Sequence, residues 1–502
     1  MPGPSRPGRG QASPRGQLAS ASARYIASAC LLAIFFAFGA SGSTVSLTLG
    51  LGGGILLLTF DFRNPVSLRN FFVVYTLALF AVGVPLFHLP PSLLADMLLY
   101  VAVFLFGYAL SSLRRNGDAG SDSRTRAGLV RPTTDQMHAV ELLMLAFAFL
   151  QLLLLAFNVS RYGIGGFYGG QSLLDQFSTY GKASASGGVI QIVTFFLKFS
   201  TIAVVVIYVQ VCLEARRNPH YRYLVLVLVG IPILSLSRSD ALHGAGLLLI
   251  INVVARRIAS QLEDEPADET STPTSAPDRR PARGRTLAIA ATMVIALAAA
   301  FVIGGLRQSR LSPNHSFSAL GRSLPLLQSE FTPIQAYGEI KQNDELLGRR
   351  HGTTIVLPII FKIVPRALYP GKPINSGAYF MSVLHPAEFA ANFALPPTLF
   401  GDAYMNFGTL GVVIACLLLG LVTARLDIAC KRARLSMLPW FLIVYASFYD
   451  LLRSPLSESL AGILLTVAAW TVLRWALGLR RPSRQPSLRL ARREPAWSTT
   501  SQ

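Results

Sequence analysis

The sequence predicts an all-α polytopic integral membrane protein of about twelve transmembrane helices, with one large extracytoplasmic loop carrying short helices. Three observations predict it. Hydrophobic residues make up 52% of the 502 and charged ones only 14%, where water-soluble domains carry roughly 25% charge. Mean hydropathy is +0.47. Apolar runs long enough to cross a hydrocarbon core of ~30 Å recur from end to end.

In order, the expected spans are 25–41, 43–60, 70–88, 92–113, 137–157, 189–212, 222–237, 239–255, 286–305, 398–423, 435–452 and 456–477. The first two are interrupted by Gly39, Gly42, Gly50 and Gly52. Ahead of them, residues 1–24 read as a disordered tail, and 25–255 as a front set of helices. Residues 256–285 run from Arg256 through Glu263, Asp264 and Glu265 into a Ser/Thr/Pro stretch, with too little apolar content to bury. They read as a disordered linker. Span 286–305 precedes the large loop, 306–397; the last spans fill 398–477, and 478–502 is a second basic tail.

Lys and Arg set the orientation. Alternate connections carry Arg63 and Arg69, Arg114 and Arg115, Arg216 and Arg217, Arg256 and Arg257, and Arg425 and Lys431, and both tails are Arg-rich. Both termini are therefore expected in the cytoplasm, with 158–188 and 306–397 facing outward. The same distribution explains a net charge of +20. Its cations are scattered over many loops rather than gathered on one domain, which excludes nucleic acid as the expected partner and points to the lipid bilayer.

The apolar run at the front follows Cys30 instead of preceding it, so a signal anchor is expected rather than a cleaved leader. Cys30, Cys212, Cys416 and Cys430 all fall in spans or on the cytoplasmic side. No exported disulfide and no zinc spacing follows from them, and no Asp-x-Asp pair suggests a catalytic metal. Neither a metal nor another cofactor is expected.

Chemistry concentrates on the outward segments. Arg161 stands in Ser160-Arg161-Tyr162-Gly163, followed by Gly165, Gly166, Phe167 and Tyr168. Glycine permits close backbone approach and aromatic faces stack on sugars; a flexible turn at the membrane surface explains the same residues. Arg238 and Asp240 sit at a joint between spans, beside His243. They either neutralise one another or serve an anionic ligand.

The large loop opens with Phe317, Leu320, Leu324, Leu327, Phe331, Ile334 and Tyr337, one apolar helical face. Pro325 and Pro333 are expected to break it into short helices lying along the membrane. Then come Pro365-Arg366 and Pro370-Gly371-Lys372-Pro373, whose prolines impose an extended, stiff segment holding a guanidinium and an ammonium. His351, His385 and Glu388 lie in the same loop, and Gly401-Asp402-Ala403-Tyr404-Met405-Asn406-Phe407-Gly408 opens the next span.

This order of motifs resembles a known family. A gapped Pro-Arg-x-x-x-Pro-x-Lys-Pro, then Tyr379, then Gly-Asp-x-Tyr-x-Asn-Phe-Gly-x-x-Gly is similar to the Wzy-type O-antigen polymerases, which polymerise oligosaccharide repeat units. Ser237-Arg238-Ser239 before an apolar span is similar to that family's earlier arginine motif. The likeness covers span count, topology, the large loop and roughly residues 155–425. An arginine followed sixteen positions later by glycine, found in some members, is absent: Arg161 meets Phe177 and Arg366 meets Ser382.

The resemblance implies a metal-independent glycosyltransferase. Its substrate is an undecaprenyl-diphosphate-linked oligosaccharide, and a chain-length regulator and a flippase are the expected protein partners. Arg238, Arg366 and Lys372, with Arg161 as a fourth, would hold the diphosphate. His351, His385, Glu388 or Asp402 would take the acceptor proton, and Tyr379 and Tyr404 would bind sugar. A surface imidazole and an interfacial aromatic belt are the plainer readings of the His and Tyr residues. An O-antigen ligase, transferring glycan to a lipid A core, fits the same topology; a polytopic transporter or flippase is the rival from another class. Lys198 and Asp96 are the main ionisable residues within the spans that such a transporter would use.

Overall fold

The computed structural model describes residues 67–116, 132–169, 185–215, 219–235, 238–263, 319–362, 371–390, 395–431 and 435–479, with a few isolated positions besides. Among them every regular element is helical. Helices α1 (Leu68–Leu86), α2 (Ser92–Asn116), α3 (Thr134–Gly169) and α4 (Ala185–Glu214) come first. A short α5 (Tyr221–Leu234) and α6 (Arg238–Glu263) follow. Then come α7 (Ala319–Gln342), α8 (Asp344–Leu347), α9 (Thr353–Ile360), α10 (Ser376–Leu384) and α11 (Pro386–Ala390). The chain closes with α12 (Thr398–Lys431), α13 (Leu438–Arg453) and α14 (Leu456–Ala476).

Seven helices among the described residues are long and apolar enough to cross a membrane: α1, α2, α3, α4, α12, α13 and α14. The protein is a multi-pass membrane protein. Of the twelve expected spans, 25–41 and 286–305 fall outside the described residues apart from Ala291, as does most of 43–60. Span 222–237 corresponds to α5, which rises only ~21 Å, short of a hydrocarbon core. Span 239–255 corresponds to α6.

The core is built around α12, which packs against α2 more extensively than any other pair of helices. Glycine makes that approach possible. A Cβ on Gly420 would lie 2.2 Å from the Phe104 carbonyl, and one on Gly107 would lie 2.5 Å from that of Leu417. Small residues on both partners let the backbones meet, the usual route to tight helix pairing where lipid is the solvent. Around this contact the aromatic rings interlock: Phe72 stacks on Phe104 at 3.8 Å and Tyr100 on Phe400 at 5.3 Å.

We call the end of the bundle where α12 begins the upper end. There α12 meets the start of α14, and α2 begins beside α7; at the lower end α12 finishes beside the start of α1.

Two local expectations are corrected. The apolar face of 317–337 does not break into short surface helices, since α7 runs without interruption through Pro325 and Pro333. A proline inside a helix costs roughly 3 kcal/mol, and here Ile334, Ala336, Tyr337 and Ile340 are all completely buried against the bundle. Burying one large apolar side chain contributes ~1.5–3 kcal/mol, so packing outweighs the broken ladder. Similarly, α3 continues to Gly169, well into the segment expected to be loop, with Gly163 at φ 68° marking a break inside it.

Candidate functional site

A kink in α12 organises the upper end. Gly408 adopts φ 68° and ψ −162°, which interrupts the helix one turn beyond Tyr404. In a continuous helix the carbonyls of residues 404, 405 and 406 would accept from residues 408, 409 and 410. Instead three successive groups of the loop before α9 approach them. Arg349 donates Nη1–H to the Tyr404 carbonyl at 2.7 Å. Arg350 N–H donates to Met405 at 3.2 Å, and His351 N–H to Asn406 at 3.1 Å. Buried backbone acceptors require partners, and here supplying them fixes two adjacent arginines in place.

The motif around the kink has a physical reason at each polar position. The Asn406 side-chain oxygen accepts from Gly352 N–H at 2.9 Å, and its amide donates to Asp402 Oδ1 at 2.9 Å. Asp402 Oδ2 accepts from Leu456 N–H, the first residue of α14, at 2.7 Å. The Tyr404 ring lies 4.8 Å beneath the Arg349 guanidinium and edge-on to Tyr337 at 6.2 Å. A Cβ at Gly408 would come within 3.4 Å of that guanidinium.

The two arginines differ in their electrostatic surroundings. Arg349 is paired with Asp344 at 2.5 Å. Arg350 lies over Tyr379, its Cζ 4.0 Å from the ring centroid, and donates from Nη1 to the hydroxyl at 3.4 Å. Tyr379 is itself anchored, donating its hydroxyl to the Leu347 carbonyl at 2.9 Å. Arg350 is half-buried, its Nε is fully buried with no hydrogen-bond partner, and among the described residues no carboxylate approaches it to ion-pair distance. Comparison with protein-family models, curated proteins and solved structures found no match.

Behind the arginines lies a polar chain from α2 to α7. Lys341 donates to Asp96 at 2.6 Å, Tyr337 donates to the same carboxylate oxygen at 3.0 Å, and Tyr100 donates to Tyr337 at 2.6 Å. Burial, and then the neighbouring Tyr100, raise the Tyr337 hydroxyl above the usual phenol range, so it remains a donor. A second group joins three helices: Lys198 of α4 meets Asp240 of α6 at 2.7 Å and Asp450 of α13 at 3.9 Å. His243 lies 4.6 Å from the ring of Tyr449, whose hydroxyl accepts from Arg453 at 2.6 Å.

The expected site residues separate accordingly. Tyr379, Tyr404 and His351 meet at the kink. Both tyrosines present a ring to a guanidinium, and His351 is exposed at φ 49°. His385 joins from the end of α10, with Nε2 2.7 Å from Glu339 Oε2. Asp402 is completely buried and spends one oxygen on Asn406 and the other on α14. Glu388 is exposed on α11. Lys372 turns back on its own loop, donating to the carbonyls of Lys362 at 3.2 Å and Val364 at 2.9 Å. Arg366 lies outside the described residues, and Arg161 and Arg238 are placed only as backbone within α3 and α6.

Lys341 and Glu339 escape sequence reasoning, and Arg349 and Arg350 are legible only as charged residues of the large loop with no assigned role. The one available signal was the Gly348-Arg349-Arg350-His351-Gly352 run, two cations between glycines in an apolar context. Among the described residues no group of three or more His, Cys, Asp or Glu side chains could hold a metal ion.

Proposed function

We propose that the chain is a glycosyltransferase that polymerises undecaprenyl-diphosphate-linked repeat units into a surface polysaccharide, with the upper end of the bundle facing away from the cytoplasm at the inner membrane. The observation that carries this reading is Arg350, a half-buried guanidinium held over the Tyr379 ring with no carboxylate partner among the described residues. A cation taken partly out of water and left uncompensated costs stability. A ligand anion that arrives at the membrane surface offsets that cost, and a lipid diphosphate is such an anion.

In this reading Arg350 joins Arg161, Arg238, Arg366 and Lys372 as the groups that bind the diphosphate and stabilise charge as the C1–O bond breaks. The diphosphate is a good leaving group, so the transfer needs no nucleotide. With both Asp402 oxygens engaged by backbone and amide, His351, His385 and Glu388 remain as acceptors for the proton of the attacking hydroxyl.

Deleting the gene and analysing lipid-linked and surface glycan tests the proposal. The expected result is a polymer ladder reduced to single repeat units, restored by the wild-type chain and not by Arg350→Ala or Arg366→Ala. Long polymer accumulating unattached to a lipid A core would favour the ligase instead. A transporter draws support from the Lys198, Asp240 and Asp450 group, which joins three helices. It predicts repeat units retained on the cytoplasmic leaflet.

A further inference from the structure

The imidazole of His385 and the carboxylate of Glu339 meet where the end of α10 packs against α7, with Nε2 and Oε2 2.7 Å apart. An ionised carboxylate can only accept, so Nε2 carries the proton and donates it to Oε2. In the neutral imidazole with this hydrogen bond, the lone pair resides on Nδ1. Nδ1 makes no hydrogen bond among the described residues.

The pair is built rather than accidental. Glu339 is held through its other oxygen, Oε1, which accepts from Gln335 Nε2 at 2.8 Å. The His385 ring meets the edge of Phe380 at 5.7 Å, and Phe380 is completely buried. Both partners stay reachable, with side-chain exposures of 31% for His385 and 21% for Glu339. A base oriented by a carboxylate that is itself held by a third group is the arrangement that activates hydroxyls elsewhere.

Position completes the argument. Tyr379, which carries the Arg350 guanidinium, precedes His385 on the same helix by about 9 Å of helical rise. Tyr379 turns to Leu347 and His385 to Glu339, so both face the one segment that runs from α7 through α8. Among the described residues His351 has no carboxylate at ion-pair distance; Glu388 is exposed on a short helix, and Asp402 is closed off.

We propose that His385 is the catalytic base for the acceptor hydroxyl, acting through Nδ1, and that Glu339 is its positioning residue. The proposal rests on the glycosyl-transfer reading above. As the acceptor oxygen forms its bond to C1 of the donor sugar, its proton passes to Nδ1. The C1–O bond to phosphate breaks, and its electron pair leaves with undecaprenyl diphosphate. Nδ1 then releases the proton to water.

The test uses the full-length protein in lipid nanodiscs with a lipid-linked repeat unit, reading polymer by gel and donor affinity with undecaprenyl diphosphate. His385→Ala is expected to lose on the order of 100-fold or more in polymerisation, to keep donor affinity, and to regain part of the activity when imidazole is added. A merely structural histidine would not respond to imidazole. His385→Gln, which retains a donor to Glu339, guards against misfolding and should be equally inactive. Glu339→Gln should lower kcat roughly 10-fold with KM unchanged. Polymer formed by wild type and by His385→Ala within threefold overturns the dyad alone, as does inactivity that imidazole leaves untouched while donor affinity holds. No polymer from wild type overturns the glycosyl-transfer reading, and the dyad with it.

Discussion

Asp402 and Asp427 stand near opposite ends of α12, and each closes the first turn of a different helix. Asp402 accepts from Leu456 N–H at the start of α14. Asp427 accepts from Leu68 N–H at 3.0 Å and Arg69 N–H at 3.3 Å at the start of α1. Both are completely buried, and α12 separates them by roughly 37 Å. The first N–H groups of any helix lack internal acceptors, and a carboxylate there also meets the positive end of the helix dipole. One long helix thus terminates two others, at the upper and the lower end.

The first prediction follows from that pairing. Asp427→Ala removes the acceptor for two N–H groups and for the Tyr108 hydroxyl, 3.2 Å away. It should cost ~1–3 kcal/mol, visible as a lower unfolding temperature in detergent. Asp402→Ala should behave alike, whereas Asp402→Asn keeps one of the two acceptors, sets its amide N–H against the other donor, and should lose only part of that stability. An Asp402→Asn protein that keeps its stability and loses all activity would instead mark Asp402 as chemical.

The adjacent arginines should respond in opposite ways. Arg349→Ala strips the Tyr404 carbonyl of its donor and leaves Asp344 without its cation, so stability should fall by about 1–2 kcal/mol. Arg350→Ala removes a half-buried cation with no carboxylate partner, and stability should hold or rise slightly. Polymer, however, should vanish in the Arg350 variant. Thermal unfolding and a glycan gel on the same preparations separate the two outcomes.

Glycine substitutions report on backbone approach and backbone angle separately. Gly420→Ala pushes a methyl group into the Phe104 carbonyl and should cost roughly 1–3 kcal/mol by separating α2 from α12. Gly408→Ala forces a side chain into the left-handed region at a cost of ~1–2 kcal/mol and crowds the Arg349 guanidinium. Only the Gly408 variant should disturb the site, reducing polymer beyond what its loss of stability accounts for.

Lys198 ties α4 to α6 and α13 through Asp240 and Asp450. Lys198→Met should destabilise by about 1–2 kcal/mol, because both carboxylates lose the cation they face. A double-mutant cycle with Asp240→Asn should return a coupling of ~1 kcal/mol. Zero coupling would show that the ion pair contributes nothing to holding the three helices together.

Much of this architecture is legible along the chain, because hydropathy and charge act through local composition. The apolar runs at 70–88, 92–113, 398–423, 435–452 and 456–477 all correspond to membrane-length helices. The polar residues at the opening of α12 stand out for the same reason, and Tyr379, Tyr404 and His385 do come to that end of the bundle. Prolines mislead where packing decides, as in α7. The nearest cation to Asp240 in sequence is Arg238, and its pairing with Lys198 of another helix is not visible from spacing.

Pairings between distant segments cannot be read from spacing. Glu339 and His385 are 46 residues apart, and Asp96 and Lys341 are 245 apart. Sequence by itself determined that the chain crosses a membrane many times, because transfer free energy depends on what a segment contains. Tertiary structure alone decided which cation is left without a carboxylate and which histidine is oriented. The first of these depends on the kink at Gly408, where freed carbonyls take groups of the loop before α9 and set Arg349 and Arg350 against different neighbours; the second depends on α7 meeting the end of α10.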